Sequence, residues 1–275
     1  MAILRKGKEI SDRLHEGKTI KQIYHIGKKY LTTWLSFATE AAIKVVFGVE
    51  EGKTVITKTN DYLNQVALTD PARALLLTGF INEDPMLVCS LIETSKTRLL
   101  LGSPNAYINT GYKPTGKTIL EACYAVTTNN YSSLGSRLNY GNEMFVIHNG
   151  PDIQFMSGSQ TMMTGLKTEV GKFYTFKLDA KGTAYVDEQM WNVDTFYGND
   201  YDIWLFSNNN SGVLHNANGA IYKYATIYED TQIVANFVPF VRNGQAGLIN
   251  LMSGIFYPNA NNSGTFTITI TDKEK

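Results

Sequence analysis

The sequence has 275 residues, enough for one large all-β domain or for two smaller domains with a sizeable core. Its 25 Lys and Arg residues balance 25 Asp and Glu residues, so the formal net charge is zero. Overall charge therefore gives no reason to expect binding to nucleic acid or to an anionic membrane. Abundant Gly, Asn, Thr and Tyr residues favour a turn-rich β protein over a helical one.

Cysteine content and hydropathy indicate the cellular compartment in which the protein is made. Cys89 and Cys123 are too few for a disulfide framework; they are expected to be small buried hydrophobic side chains, although a pair between them stays open. The N-terminus lacks the apolar core of a signal peptide, and no run approaches the roughly 18 apolar residues of a membrane span. We therefore expect a protein that is made in a cytosol, is not exported by the standard route and has no membrane span.

Residues 1–40 form a basic N-terminal arm with eight Lys or Arg residues and four acidic ones. Such an arm can contact nucleic acid or an acidic surface, but a solvated face is the commoner explanation. No known nucleic-acid motif accompanies the charges, so no nucleic acid is expected as a partner. Within the arm, Gly17 to Leu31 predicts a hairpin that reverses at Gly27.

Residues 41–97 predict a small middle module or a linker. Two apolar blocks between residues 42 and 58 favour short strands. Asp70 and Pro71 predict the start of a helix, with Asp70 as the N-cap and Pro71 in the first helical position. The stretch Thr78–Ile92 predicts two strands with a turn between them.

From residue 98 onward, strand signals recur about every ten residues, as a fold of two antiparallel sheets requires. Thr118–Val126, Lys172–Leu178 and Ile221–Tyr228 alternate and are rich in β-branched and aromatic residues, which is typical of half-buried strands. Lys181-Gly182 and Asn243-Gly244 predict tight turns, because Gly and Asn tolerate positive φ. The pattern predicts a mainly β domain.

Four segments of this region follow one another in the order of a known family. They are AYINTGYKP at Ala106–Pro114, LGSR at Leu134–Arg137, WLFSNN at Trp204–Asn209, and the run Gly219–Phe266 with IY, FVP, GL, FY and GTF in sequence. Together they resemble the laminin-G-like, concanavalin-A-like jelly-roll domains of bacteriophage structural proteins. The resemblance covers about two thirds of the chain, and Gly17 to Leu31 is similar to the openings of phage tail and baseplate proteins.

The resemblance implies a mainly β fold, with a concanavalin-A-like β-sandwich (a jelly roll) over residues 98–275 and a small N-terminal module with a hairpin before it. It also implies a virion structural protein of the fibre, spike or capsid-decoration type. The N-terminal region would attach to other virion proteins, and the displayed jelly roll would adhere to host-surface glycans. Such proteins are often homo-oligomers, commonly trimers. This protein would be made in the host cytoplasm and located in the virion.

The sequence lacks the patterns of an enzyme. Retaining glucanases of this fold carry E-x-D-x-x-E on one strand, which places alternate carboxylates on one face, and no such motif occurs. The histidines have no nucleophile-elbow context and no zinc spacing. Gly111 to Thr118 has the letters of a phosphate loop, but a strand is predicted where that motif requires a helix. We therefore predict no enzymatic activity, no catalytic residue and no cofactor.

The predicted loops contain candidate residues for two kinds of ligand, calcium and glycans. Laminin-G-like domains can bind calcium through Asp and Asn oxygens; the absence of a metal is favoured, and the candidates by residue type are Asp152, Asp179, Asp194 and Asn208. A glycan site needs an exposed ring beside amide groups, although core packing explains most aromatic residues. The candidates in or near predicted loops are Tyr131, Trp191, Tyr197, Asn208, Asn209 and Asn210.

Two alternatives to a virion protein stay open. The first is a soluble, non-catalytic carbohydrate-binding module without a virion role, and the lack of a signal peptide argues against it. The second and less favoured alternative is a glycoside hydrolase of the same fold, and the missing carboxylate motif argues against that activity.

Overall fold

The computed structural model describes residues 65–84, 87, 96–138 and 143–272. The predicted basic arm, its hairpin, the strands between residues 42 and 58, and Cys89 lie outside the described residues. The chain divides into two compact units, one of Met1–Thr97 with Asp272–Lys275 and one of Arg98–Thr271. The larger unit contains the sheets that position the candidate site.

Helix α1 spans Pro71–Glu83 and begins as the sequence predicts. The Asp70 carboxylate accepts a hydrogen bond from the Arg73 backbone N–H at 3.0 Å, which satisfies one of the free donors of the first turn. Pro71 fits this turn because its missing N–H removes no helical hydrogen bond there.

The prediction of two strands in Thr78–Ile92 is wrong where the structure describes that stretch, because α1 continues through its first part. Ala74, Leu77 and Phe80 are buried, and their spacing of three places them along one side of a helix. The Asp84 backbone N–H donates to the Phe80 carbonyl at 2.7 Å and closes the last turn. The run of Ala and Leu residues after the N-cap favours helix more strongly than the later Thr and Ile residues favour strand.

The larger unit is a sandwich of two sheets, which confirms the predicted mainly β fold. Sheet A contains β1 (Lys96–Gly102), β3 (Thr118–Val126), β8 (Tyr174–Asp179), β9 (Thr183–Val186), β10 (Gln189–Asn192), β14 (Ala220–Glu229), β15 (Gln232–Arg242), β16 (Gln245–Asn250), β17 (Phe256–Tyr257) and β18 (Phe266–Asp272). Sheet B contains β2 (Ile108–Asn109), β4 (Ser132–Arg137), β5 (Met144–Asn149), β6 (Asp152–Gly158), β7 (Gln160–Lys167), β11 (Trp204–Leu205), β12 (Asn208–Asn210) and β13 (Val213–His215).

The strands of sheet A follow the order β10-β9-β8-β3-β14-β15-β16-β17, and β1 lies beside the first part of β14 with β18 beyond it. The order in sheet B is β13-β12-β4-β5-β6-β7, and β11 joins β4 at the pair Trp204 and Gly135. The long pairs, such as β3 with β14, are antiparallel. Strand β12 runs parallel to β4, because the chain reverses sharply near Phe206, whose φ is 69°.

The core lies between the two sheets and is rich in aromatic rings. Tyr124 on β3 and Tyr222 on β14 are fully buried and stacked, with ring centroids 4.8 Å apart. The Phe206 ring lies 4.0 Å from that of Tyr222. Burying each side chain of this size stabilises the fold by about 1.5–3 kcal/mol, so this cluster joins the two sheets firmly.

Several local predictions are confirmed. The predicted strand Thr118–Val126 coincides with β3. The sequence Gly111 to Thr118, which has the letters of a phosphate loop, therefore leads into a strand and not a helix. The predicted strand Lys172–Leu178 becomes β8, which starts two residues later. The Asn243-Gly244 turn joins β15 to β16 with φ values of 52° and 78°, the positive angles that this residue pair favours.

Gly135 gives a test of the packing of β4 against β5. Its φ is 123°, and a Cβ at this position would stand 2.9 Å from the Val146 Cα and closer still to the Phe145 carbonyl oxygen. We predict that Gly135→Ala lowers the free energy of unfolding by about 3 kcal/mol or more, because strained φ and overpacking add. Urea unfolding measures the change.

The matched control is Gly165→Ala. Gly165 also has a positive φ of 77°, but a Cβ added there would have no atom within 4 Å. We expect this variant to lose only about 1–2 kcal/mol, the cost of the backbone angle alone. Equal losses for the two variants would contradict the close approach of β4 to β5.

Candidate functional site

Sheet B has a polar outer face. Strands β4 and β5 are buried on both sides, although only alternate residues enter the core. Strand register places Ser133 opposite His148 and His148 opposite Gln154 on the side away from the core. We call this polar layer the polar face and define it by its outward-facing and bordering residues, Tyr131, Ser133, Arg137, His148, Gln154, Asn208, Asn210, His215 and Asn216. Its central side chains, those of Ser133, His148 and Asn208 among them, are buried, whereas its bordering residues are partly exposed.

His148 is the centre of the polar face. Its Nε2 lies 3.3 Å from the Asn208 Nδ2 and 3.4 Å from the Asn216 Nδ2. The Asn208 Nδ2 also donates to the Ser133 Oγ at 3.2 Å. Because amide nitrogens only donate, Nε2 accepts here, and the imidazole is neutral with its hydrogen on Nδ1.

Electrostatics keep this histidine neutral. Burial, with smaller contributions from the nearby Arg137 and His215, lowers the pKa of His148 to about 3. Burial and Arg137 also lower the pKa of His215. At neutral pH the two imidazoles therefore serve as uncharged hydrogen-bonding groups.

His148 predicts a dependence of stability on pH. The unfolded imidazole titrates near 6.5 and the folded one near 3, so the unfolded chain binds this proton first. Stability is fully present above about 6.5 and falls as the pH decreases toward 3. We predict that at pH 4.5 this group costs the wild type about 2–3 kcal/mol of unfolding free energy relative to pH 7.

The test compares urea unfolding of the wild type and His148→Gln at pH 7, 6, 5 and 4.5. Carboxylates contribute to both curves, so the difference between the curves isolates His148. We expect the variant to lose less stability on acidification. Parallel curves would show that His148 is not buried as a neutral group.

Tyr131 places an aromatic ring at the border of the polar face. Its hydroxyl oxygen accepts a hydrogen bond from the Gln154 Nε2 at 2.7 Å, and its ring centroid lies 5.6 Å from that of His148. The Asn218 Nδ2 donates to the Tyr131 carbonyl at 2.6 Å and holds the backbone in place. The ring is thus fixed beside the amides, as a sugar-stacking residue would need to be.

Several buried polar atoms of this region have no hydrogen-bond partner among the described residues. They include the Asn208 Oδ1, the Asn210 Oδ1, the His215 Nδ1 and the Nε1 of Trp204, which lies on β11 beside β4. A buried polar atom without a partner costs about 1–3 kcal/mol, so native proteins usually satisfy such atoms with water or a ligand. The polar face therefore contains polar atoms that lack hydrogen-bond partners among the described residues, and the two amide oxygens among them require donors.

The described part of the polar face does not carry a pair of carboxylates. Asp152, two residues before Gln154 on β6, forms an ion pair with Lys167. His148 is too weak a base to take a proton at neutral pH, and Ser133 receives an amide hydrogen from Asn208. This arrangement offers hydrogen bonding and not acid–base chemistry.

A second polar cluster lies at the tip of β14. Tyr112 and Thr115 place their hydroxyls on the Glu229 carboxylate, and the Thr118 Oγ1 lies 3.2 Å from the same group. Burial and the hydrogen bond to Glu229 raise the pKa of Tyr112 to about 12, so its phenol stays a donor. This cluster attaches the segment before β3 to the β14–β15 hairpin, and its role is structural.

The six predicted glycan-binding residues do not form one cluster. Tyr131, Asn208 and Asn210 lie on the polar face, and Asn208 is fully buried at its floor instead of standing on a loop. Asn209 shapes the turn after β12, because its Oδ1 accepts from the Gly212 N–H at 2.7 Å. Their role in glycan binding stays a prediction.

The two other predicted rings lie elsewhere. Trp191 on β10 packs against the core, with its ring 6.4 Å from that of Phe155. Tyr197 is 86% exposed in the connection between β10 and β11. Sequence reasoning missed Ser133, His148 and Gln154. The available signal was the alternation of polar and apolar residues at the start of β6, whereas β5 begins with four apolar residues in a row.

The calcium candidates are separate from one another. Asp152 is paired with Lys167, the Asp179 Oδ1 accepts from the Lys181 N–H at 2.8 Å, and the Asp194 carboxylate accepts from a serine hydroxyl. Within the described residues, no group of three His, Cys, Asp or Glu side chains is arranged to hold a metal ion. The same residues include no helix long and apolar enough to cross a membrane.

Comparisons with known proteins add little. No protein-family model matches the sequence, and no curated protein matches it. A solved structure described as a native glycosidic hydrolase aligns at a TM-score of 0.31 with 14% identity, over 50% of this chain and 79% of its own. A Bacillus licheniformis β-glucanase aligns at a TM-score of 0.19 with 14% identity, over 48% of this chain and 65% of its own. At these TM-scores the alignments support no conclusion about function.

Proposed function

We propose that the protein is a structural component of a bacteriophage virion, of the fibre, spike or capsid-decoration type. Its β-sandwich is displayed on the particle and binds a host-surface glycan through the polar face. The ordered series of segments that resembles phage jelly-roll domains supports the virion role. The cluster of amides and neutral imidazoles around His148 supports the binding role.

The first and last of the segments that resemble the phage family contact each other, which supports the proposal that the segments belong to one domain. The Asn259 Oδ1, from the last segment, accepts from the Tyr107 N–H of the first segment at 3.1 Å. A Cβ on Gly264 would stand 2.8 Å from the Cβ of Ala106, so only glycine fits there. The resembling residues thus build the fold, and two of them, Arg137 and Asn208, also belong to the polar face.

The chemistry of the polar face suits neutral sugars. Sugar hydroxyls donate and accept hydrogen bonds, and the partly exposed border of the face carries the side-chain amides of Gln154, Asn210 and Asn216. The Tyr131 ring lies at the border, where it can stack on the apolar side of a sugar ring. The partly exposed Tyr131 ring, which the Gln154 amide holds at the border of the buried amides, carries this proposal more than any other observation.

A soluble carbohydrate-binding module without a virion role uses the same face and differs only in location. A glycoside hydrolase requires two carboxylates about 5–9 Å apart, and the described part of the polar face does not offer such a pair. We therefore propose binding without catalysis. A polysaccharide digested by the purified protein would overturn that part of the proposal.

Mass spectrometry of purified particles tests the virion role. We expect peptides of this protein in gradient-purified virions of the phage that encodes it, at a constant ratio to the major capsid protein across fractions. Absence from the particles, with abundant protein in the lysate, would leave the soluble binding module as the better proposal.

A glycan array with the full chain tests the polar face. We expect that Asn210→Ala, which removes an amide oxygen without a partner, and Tyr131→Ala each weaken binding about tenfold or more. Tyr197→Ala is the matched control, because this exposed ring lies in a different part of the fold. An array without hits would leave the protein a purely architectural role. If Tyr197→Ala weakened glycan binding as much as the other two variants, the polar face would not be the binding site.

A further inference from the structure

The outer face of sheet A, on the side away from sheet B, carries a row of six side chains from six adjacent strands. Strand register aligns them in the order Met190, Tyr185, Lys177, Glu121, Thr226 and Asn236. Neighbouring strands are about 4.8 Å apart, so the row is about 24 Å long. On β9, β8, β3, β14 and β15 the residues before and after each member belong to the core, and Trp191 next to Met190 packs against it, which fixes this set on the outside.

The two central members carry opposite charges that are not joined to each other. Lys177 and Glu121 are cross-strand neighbours, yet the ion pairs found among the described residues do not join them. The Lys177 Nζ lies 5.7 Å from the centroid of the Tyr185 ring, and the Glu121 Oε1 accepts from the Tyr224 hydroxyl at 3.2 Å. Both charges thus stay directed at the surface of the sheet.

Exposed apolar side chains lie near both ends of the face. Met190 on β10 is 56% exposed at one end, and Ile233 and Val234 on β15 are 43% and 38% exposed at the other. The next row along the strands adds Tyr228 and Ile119 between these ends. Contiguous apolar side chains that remain exposed on a sheet commonly mark an interaction surface.

We propose that this face binds the same face of a second copy of the chain, about a two-fold axis that runs along the strands between β8 and β3. Such an axis places each strand opposite its counterpart at equal distance from the centre. Lys177 then faces Glu121 of the second copy, and the reciprocal pair forms on the other side of the axis. Met190 on β10 then stands opposite Asn236 on β15 of the second copy, and the exposed Ile233 lies in the next row on that strand.

The charges of this face are complementary to those of the same face on a second copy. The midpoint of the row falls between its one cation and its one anion, so a single rotation places each charge opposite its counter-charge. The same rotation brings Met190 to β15, the strand that carries the exposed Ile233 and Val234. A partner of one sign would leave one of the two charges opposed to a like charge. Two packed sheets of this kind keep a spacing of about 10 Å, which suits side chains of these sizes.

The face is small, so we expect the two copies to bind each other weakly. A row of about 24 Å and two or three residue rows along the strands give a footprint of a few hundred Å² per copy, at the low end of specific interfaces. We therefore expect a reversible dimer with a dissociation constant in the micromolar range. This inference does not depend on the proposed glycan binding or virion role.

Sedimentation velocity of the full chain over a concentration series tests the dimer. We expect Lys177→Glu and Glu121→Lys each to weaken dimerisation about tenfold or more, because each variant places like charges opposite each other twice. An equimolar mixture of the two variants should dimerise again. In the mixed dimer both central pairs are of opposite sign, whereas the neighbouring residues within each chain remain of like sign.

The mixture separates contacts between copies from effects within one copy, because a defect in folding cannot be repaired by mixing. Lys113→Glu is the matched control: it makes the same charge change at an exposed position in the connection between β2 and β3. Circular dichroism and thermal unfolding establish that each variant is folded. A monomeric wild type, a trimer, or a mixture that stays monomeric would overturn the proposal.

Discussion

The pairing of β3 with β14 holds together the features on which both outer surfaces depend. It aligns nine residue pairs, although Thr118 and Glu229 at one end are 111 positions apart in the chain. Inside the sandwich it stacks Tyr124 on Tyr222, and outside it brings the Tyr224 hydroxyl to the Glu121 carboxylate. Closing so long a loop is slow and costs conformational entropy, so the aromatic contact must offset that cost.

The same pair positions the polar face through one hydrogen bond. The Tyr222 hydroxyl oxygen, buried in the core, accepts from the backbone N–H of Phe206 at 3.3 Å. Phe206 has a φ of 69°, and the reversal at this residue returns the chain as β12, parallel to β4. Asn208 is thereby carried to His148 and Ser133. A core tyrosine thus determines where the amides of the candidate site stand.

The sequence predicts those parts of the fold that depend on neighbouring residues. The strand Thr118–Val126 and the turn at Asn243-Gly244 follow from alternation and from turn chemistry, and the Asp70 cap follows from its own helix. The polar face could not be predicted in this way, because His148, Asn208 and Asn216 come from strands and loops that meet only in the fold. Consecutive asparagines favour loops, and the parallel pairing that makes Asn208–Asn210 a strand is a distant contact.

The two outer faces of the sandwich are chemically different, and this difference bears on how binding and association combine. The polar face is built mostly from buried uncharged groups, whereas the outer face of sheet A has a central Lys and Glu with exposed apolar side chains near its ends. A dimer formed through sheet A stacks four sheets about 10 Å apart, so the two polar faces point outward from opposite sides, about 30 Å from each other. The partly exposed borders of the two polar faces, at Tyr131 and Gln154, then lie on opposite sides of the dimer. Two faces of modest affinity on one dimer bind a repetitive polymer more strongly than one face does whenever two strands or a loop of that polymer reach both sides.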